Sequence, residues 1–103
     1  MAEYRTVCAE SELPPGKGRA VDADGLAIAV FNVKGRFYAI EDTCLHAGGP
    51  LHEGTLKGKI VTCPWHEWQF DVRTGACALN PMVSLGCYAV RVRDGMVEVA
   101  AGT

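Results

Sequence analysis

Two pairs of metal-binding residue types constrain this chain more than any other feature of its sequence. Cys44-x-His46 is followed, after sixteen intervening residues, by Cys63-x-x-His66. Each pair offers one thiolate and one imidazole, and two glycines shortly after the first pair allow the backbone to pass close to a bound group. We therefore expect two loops that hold one metal centre from opposite sides.

Composition and charge exclude several other classes of protein. A chain of 103 residues, 49% apolar and 21% charged, fits one globular domain. Its net charge is −2, and the lysines and arginines are spread along the sequence, so no nucleic-acid partner is predicted. The first residues carry no secretion signal, and no apolar run approaches the roughly 20 residues that would span a membrane. These features predict a cytoplasmic protein without a membrane partner.

The five cysteines are an odd number. In a reducing compartment they favour metal binding or simple burial over a set of disulfides. Cys8, Cys77 and Cys87 lie outside the paired pattern, and we expect them to be small buried apolar side chains.

Short runs rich in β-branched and aromatic residues, separated by turn residues, predict an all-β fold, a sandwich or a barrel. Glycine-containing turns at 22–25, 33–36 and 93–96 predict antiparallel hairpins. The eight predicted strands are YRTVCA, GRAVDA, LAIAVFNV, RFYAIE, KIVTC, WQFDV, YAVRVR and MVEVA.

The middle of the chain differs from both ends. Residues 43–80 contain all three histidines and both tryptophans, and we expect mostly loop there. So long a segment without a helix is uncommon in a compact domain unless function or a metal holds it together. The sequence thus predicts a single domain, 1–103, with base strands in 1–42 and 81–103 and an inserted metal-binding subdomain at 43–80.

The donor set alone leaves two kinds of metal centre open. A structural zinc ion takes two cysteines and two histidines, but zinc fingers usually pair cysteine with cysteine and histidine with histidine. Here each pair is mixed, which suits a centre with two metal atoms. A zinc-stabilised interaction module stays open as an alternative.

The stretch CLHAGGPLHEGTLKGKIVTCPWHEWQFDVRTG resembles the cluster-binding region of Rieske-type ferredoxins. The resemblance implies an antiparallel β base with a small inserted cluster-binding subdomain and a [2Fe–2S] cofactor. It also implies that Cys44 and Cys63 bind the buried iron, and that His46 and His66 bind the outer iron near the surface.

Departures from the respiratory-chain members of that family predict the redox properties. Gly49 and Trp65 stand where those relatives have a further pair of cysteines, so no bracing disulfide is expected. Trp68 and Phe70 align with a serine and a tyrosine whose hydroxyls bond the sulfurs. Without those donors, we expect a potential at the low end of the Rieske range of roughly −150 to +300 mV.

The resemblance implies a one-electron carrier between an NAD(P)H-dependent flavoprotein reductase and a terminal ring-hydroxylating oxygenase, docking near His46 and His66. The chain is not expected to be an enzyme, because one histidine is left for the two-histidine, one-carboxylate iron site of an oxygenase, and no nucleotide-binding glycine motif is present. The alternative is the small subunit or accessory domain of a nitrite reductase-like complex.

Several residues near the pairs are expected to be structural. His52, the third histidine, is predicted to lie on the surface and not to bind the metal. Trp65, Trp68 and Phe70 are predicted to pack beside the centre and exclude water, and Pro50 and Leu51 to shield the first loop.

Overall fold

The computed structural model of the protein describes residues 4–23, 25–42, 50–65, 68–78, 80 and 82–100. Within these ranges lie nine strands and two short 3₁₀ turns, Glu10–Glu12 and Leu51–Glu53. The prediction of an all-β fold is confirmed. No helix in the described ranges is long and apolar enough to cross a membrane.

Six antiparallel strands form the larger sheet, which curls into a nearly closed barrel. Their spatial order is β1-β9-β8-β4-β3-β2. The remaining three strands form a second sheet in the order β5-β6-β7. The strands are β1 Tyr4–Ala9, β2 Gly18–Ala23, β3 Leu26–Val33, β4 Arg36–Glu41, β5 Thr55–Lys57, β6 Ile60–Thr62, β7 Gln69–Asp71, β8 Cys87–Arg93 and β9 Met96–Ala100.

Two hairpins of the larger sheet are closed by two-residue loops of the same type. Lys34 and Gly35 join β3 to β4 with φ of 52° and 92°, and Asp94 and Gly95 join β8 to β9 with φ of 52° and 76°. Positive φ at both central residues defines a type I′ turn, whose twist matches that of the flanking strands. The turns predicted at 33–36 and 93–96 are therefore confirmed.

Strand β3 is apolar except for the buried Asn32, because it faces a core on each side. Ile28 and Val30 belong to the core cluster inside the larger sheet. Ala29 and Phe31 belong to a second cluster, which also contains Val61 and Phe70 of the smaller sheet. Successive side chains of a strand point to opposite faces. This one strand therefore attaches the smaller sheet to the larger one through a shared core.

The smaller sheet lies within the segment predicted to be mostly loop. Its strand β5, with the sequence TLK, was not predicted, whereas β6 and β7 fall inside the predicted runs KIVTC and WQFDV. The division into a base (1–42 and 81–103) and an inserted cluster-binding subdomain (43–80) stays a prediction.

Candidate metal centre

Three segments of the chain meet the same end of the smaller sheet. In the ladders between its strands, Thr62 pairs with Thr55 on one side and with Gln69 on the other. Ala78 extends this row, because its backbone N donates a hydrogen bond to the carbonyl of Gln69 at 2.7 Å. The segment before β5, the loop from 63 to 68 and the segment after Ala78 therefore all leave from one end.

Cys63 is the first residue of the loop between β6 and β7. Its backbone N donates to the carbonyl of Trp68 at 2.7 Å, which continues the ladder one step beyond the strands. Its side chain is 0% exposed and lies in the core cluster that includes Phe70 and Leu51. A thiol placed in this way can offer its sulfur to a metal that is shielded from water, and an apolar surround is one of the features that set a redox potential.

The neck of the first loop is closed by a contact between Asp42 and His52. The Asp42 carboxylate accepts a hydrogen bond from the His52 backbone N at 2.7 Å and lies 2.6 Å from its Nδ1. The Asp42 side chain is 7% exposed and that of His52 28% exposed, and the backbone N of Asp42 donates to the carbonyl of Ala27 at 3.0 Å. The prediction that His52 is a surface residue is wrong, since it is half-buried and holds the loop's two ends together.

Gly54 allows the chain after this neck to pass close to β6. A Cβ atom at this position would lie 2.2 Å from the carbonyl oxygen of Thr62 and 3.1 Å from that of Leu51. The φ of Gly54 is −73°, so glycine is needed for space and not for a left-handed backbone. This close approach places the turn at 51–54 against β6, the strand that leads into Cys63.

The side chains around Cys63 separate into a buried and an exposed set. Leu51 and Phe70 are fully buried and Trp68 packs against their cluster, in agreement with the predicted shielding role. Trp65 is 59% exposed, so the prediction that it packs beside the centre is wrong. It follows Pro64, also exposed, in the loop that begins at Cys63.

The three cysteines outside the ligand pairs have different environments. Cys8 and Cys77 are buried, as predicted. Cys87 is exposed, contrary to the prediction, because it begins β8 at the rim of the larger sheet; its Sγ donates to the carbonyl of Arg73 at 3.3 Å. Partial burial, and to a lesser degree the charge of Asp71, raise the pKa of the Cys87 thiol.

Of the four predicted ligands, the structure describes Cys63 alone. Cys44, His46 and His66 lie outside the described residues. In the part of the chain that the structure describes, no three metal-binding side chains come together. The fully buried sulfur of Cys63, the Asp42–His52 neck and the common end of the three segments are thus the structural observations that fit a metal centre here.

Comparison with known proteins agrees with this geometry. The model of the Rieske [2Fe–2S] domain matches residues 3–89. Ferredoxin CarAc from Metapseudomonas resinovorans is 47% identical over 96 residues, which cover 91% of this chain and 90% of that protein. Relatives of this kind are electron-transfer components of oxygenase systems and not their catalytic subunits.

Two solved structures show the same fold over nearly the full length. One is a chain in the complex of reduced oxygenase and oxidized ferredoxin in carbazole 1,9a-dioxygenase, with a TM-score of 0.87, 44% identity, and coverage of 94% of this chain and 92% of that one. The other is described as the small subunit of an NADH-dependent nitrite reductase from Mycobacterium tuberculosis, with a TM-score of 0.92, 28% identity, and coverage of 100% and 98%. The chain therefore belongs to the Rieske [2Fe–2S] family and is an electron-carrying protein with a [2Fe–2S] cluster as its cofactor.

Proposed function

We propose that Cys44, His46, Cys63 and His66 bind the cluster, with the two cysteines toward the core and the two histidines toward the surface. The observation that carries this proposal is the burial of Cys63, whose side chain is 0% exposed at the base of the loop that contains His66. When bound, the cluster stores one electron, and its neutral imidazole ligands keep the oxidised centre less negative than four thiolates would.

The protein itself positions and shields the centre. The Asp42–His52 contact holds the ends of the first loop, and the apolar cluster around Cys63 keeps water from the inner side. The sequence beyond Cys63 continues through the exposed Trp65 toward His66. We infer that electrons enter and leave on this outer side, next to the histidines.

We further propose that the carrier takes electrons from an NAD(P)H-dependent flavoprotein reductase and delivers them to a ring-hydroxylating oxygenase. Support comes from the names of its relatives, which are ferredoxins of dioxygenase systems. One similar solved chain is also part of a complex with an oxygenase. Transient docking through a small surface near His46 and His66 suits a protein that must meet two partners in turn.

The second candidate function is the small subunit of a nitrite reductase. The high structural similarity to a protein described in those terms, with a TM-score of 0.92, favours it. That role predicts a lasting complex with a large catalytic subunit, whereas the carrier role predicts a protein that purifies alone.

Metal analysis and electron transfer test the proposal. We expect two irons and two acid-labile sulfides per chain, and an EPR signal on reduction. Dithionite-reduced protein, mixed in a stopped-flow instrument with the oxygenase of carbazole 1,9a-dioxygenase as a surrogate partner, should reoxidise faster than with buffer alone. A colourless protein with one zinc ion would contradict the cluster assignment, and stable co-purification with a large siroheme-containing subunit would favour the second candidate.

A further inference from the structure

The fold gathers four basic side chains from three segments that are far apart in the sequence. Lys34 and Arg36 come from the β3–β4 hairpin, Lys59 from the β5–β6 turn and Arg73 from the turn after β7, and all four line one groove of about 460 Å³. The sequence showed lysines and arginines without grouping, so this concentration of charge comes from the tertiary structure.

The groove combines positive charge with an apolar lining. Val33, Tyr38 and Gly58 complete its walls, and no carboxylate is among its described lining residues. Asp71 lies next to it and is bound by Arg73, whose Nε and Nη2 donate to its two carboxylate oxygens at 3.3 and 3.2 Å. Burial works to raise the Asp71 pKa, but the hydrogen bonds and charge of Arg73 outweigh it and leave that pKa lowered. With one neighbouring carboxylate against four cations, the site keeps a local positive excess in a chain of net charge −2.

Two neighbouring depressions extend the groove. One shares Arg36 and Tyr38 with it and continues along Val90–Val92. The other shares Lys34 and Gly58 with it and continues to Pro15 and Gly16. A continuous track of this kind suits an extended peptide better than a small compact anion.

Lys34 has an unusual backbone conformation. Its φ is 52°, a left-handed conformation that is costly for most residues and is visited most readily by glycine, asparagine and aspartate. The equivalent position of the β8–β9 turn has the same φ of 52° and is occupied by Asp94, a preferred residue. A lysine held in an unfavourable conformation at the edge of the groove points to a role beyond turn formation.

The groove lies at the end of the smaller sheet opposite to the candidate metal centre. Lys59 precedes β6 and Cys63 follows it, so the two are separated by about 13 Å at a rise of about 3.3 Å per residue. A partner bound in the groove would leave the loops around Cys63 uncovered.

We propose that this groove binds an acidic segment of a redox partner protein and anchors the carrier away from its electron-transfer surface. The inference rests on the proposed carrier function. It adds a second contact with the partner protein to the docking surface near His46 and His66. Charge complementarity of this kind speeds encounter and orients partners. A protein segment fits better than a nucleic acid, because the chain as a whole has a net charge of −2 and a pI near 5.9.

Fluorescence anisotropy with a labelled octaglutamate peptide tests the proposal on the cluster-loaded protein at about 20 mM ionic strength, where exposed charges are weakly screened. We expect binding of this peptide, and no binding of an octaglutamine peptide of the same length. The double variant Lys34→Gln/Lys59→Gln should bind octaglutamate about tenfold more weakly. The matched control is Arg5→Gln/Arg19→Gln, which removes the same charge from β1 and β2, outside the groove.

Four other outcomes would each contradict one part of the assignment. An equal loss in both double variants would show attraction by overall charge and overturn the groove assignment. Tighter binding of a thymidine octanucleotide than of octaglutamate would replace the protein segment with nucleic acid. Cluster content is measured on the same samples, so red-brown protein that does not bind octaglutamate overturns this inference alone. Colourless protein that binds the peptide overturns the carrier function alone.

Discussion

The Asp42 carboxylate bonds His52 across a segment of nine residues. The Asp42 side chain accepts a hydrogen bond from the His52 backbone N at 2.7 Å and contacts Nδ1 at 2.6 Å. Because a carboxylate can only accept, Nδ1 is the donor in this contact and Nε2 is left to face Glu53, whose Oε2 is 3.8 Å away. The segment between them contains Cys44 and His46 in its sequence, so this contact holds together the two ends of the segment that carries the first proposed ligand pair.

Replacing Asp42 with alanine removes both hydrogen bonds at once. Bonds to a charged acceptor contribute about 1.5–3 kcal/mol each when shielded, and we expect a loss of about 2 kcal/mol here because His52 is partly exposed. In a domain of this size that loss lowers the midpoint of thermal bleaching of the cluster by about 10 °C. The measurement is visible absorbance during heating.

Glu53→Gln is the matched control for the Asp42 variant. The Glu53 side chain is 65% exposed and its contact with His52 spans 3.8 Å, so its loss should shift the bleaching midpoint by no more than about 2 °C. If the two variants bleach at the same temperature, the neck contact does not hold the loop.

Gly54→Ala tests the close approach of the first loop to β6. The added Cβ would meet the Thr62 carbonyl oxygen at 2.2 Å, and backbone on both sides leaves it little room to move. We expect a destabilisation of about 3 kcal/mol and a low yield of cluster-loaded protein. Gly25→Asn is the control, because nothing lies within 4 Å of a Cβ there and asparagine tolerates its φ of 84°. Equal yields from the two variants would contradict this steric role.

The sequence predicted the strands well because their signal is local. Alternation and turn residues reproduce β1, β2, β3, β4 and β9 at their observed bounds. The three-residue strand β5 was missed, since Thr55–Lys57 has a single apolar residue, too few for an alternation signal, and is a strand through its pairing with β6.

Features of the site that depend on tertiary contacts could not be predicted from the sequence. His52 looks like an ordinary surface histidine until Asp42, ten positions away, is found beside it. The basic groove likewise depends on how the β3–β4 hairpin lies against the turns of the smaller sheet. The ligand spacing, by contrast, is itself a sequence signal, and it led to the family that the comparisons show.

Cysteine variants test the ligand assignment. Cys63→Ser should abolish the visible chromophore, because serine does not replace a thiolate ligand of the cluster. Cys77→Ser should keep it, since Cys77 is buried in the same apolar cluster and is expected to be a packing residue. His66→Ala should also lose the colour. A colourless Cys77→Ser protein that still folds by circular dichroism would show that the assigned ligand set is wrong.

Phe70→Tyr tests the source of a low reduction potential. Phe70 is fully buried in the cluster of side chains that contains Cys63. The resemblance implies that it stands where respiratory-chain members of the family have a tyrosine that bonds sulfur. A hydroxyl that donates to the sulfur stabilises the extra negative charge of the reduced state, so we expect a higher midpoint in protein-film voltammetry. A hydroxyl without a partner would instead cost about 1–3 kcal/mol of stability. An unchanged potential together with lower stability would therefore count against the hydrogen-bond explanation.

Lys34→Asn separates stability from binding at the basic groove. Lys34 and Asp94 have the same φ of 52° in turns of the same type, so asparagine should relieve the backbone cost of Lys34. We expect a gain of about 0.5–1 kcal/mol, seen as a bleaching midpoint higher by about 4 °C, together with weaker binding of octaglutamate. The reciprocal variant Asp94→Lys should lose a similar amount of stability, because it puts lysine into the same conformation. If the Lys34→Asn protein is more stable than the parent, its weaker binding of octaglutamate cannot come from unfolding. A Lys34→Asn protein that is less stable than the parent would contradict the inference that lysine is kept in this turn because of the groove.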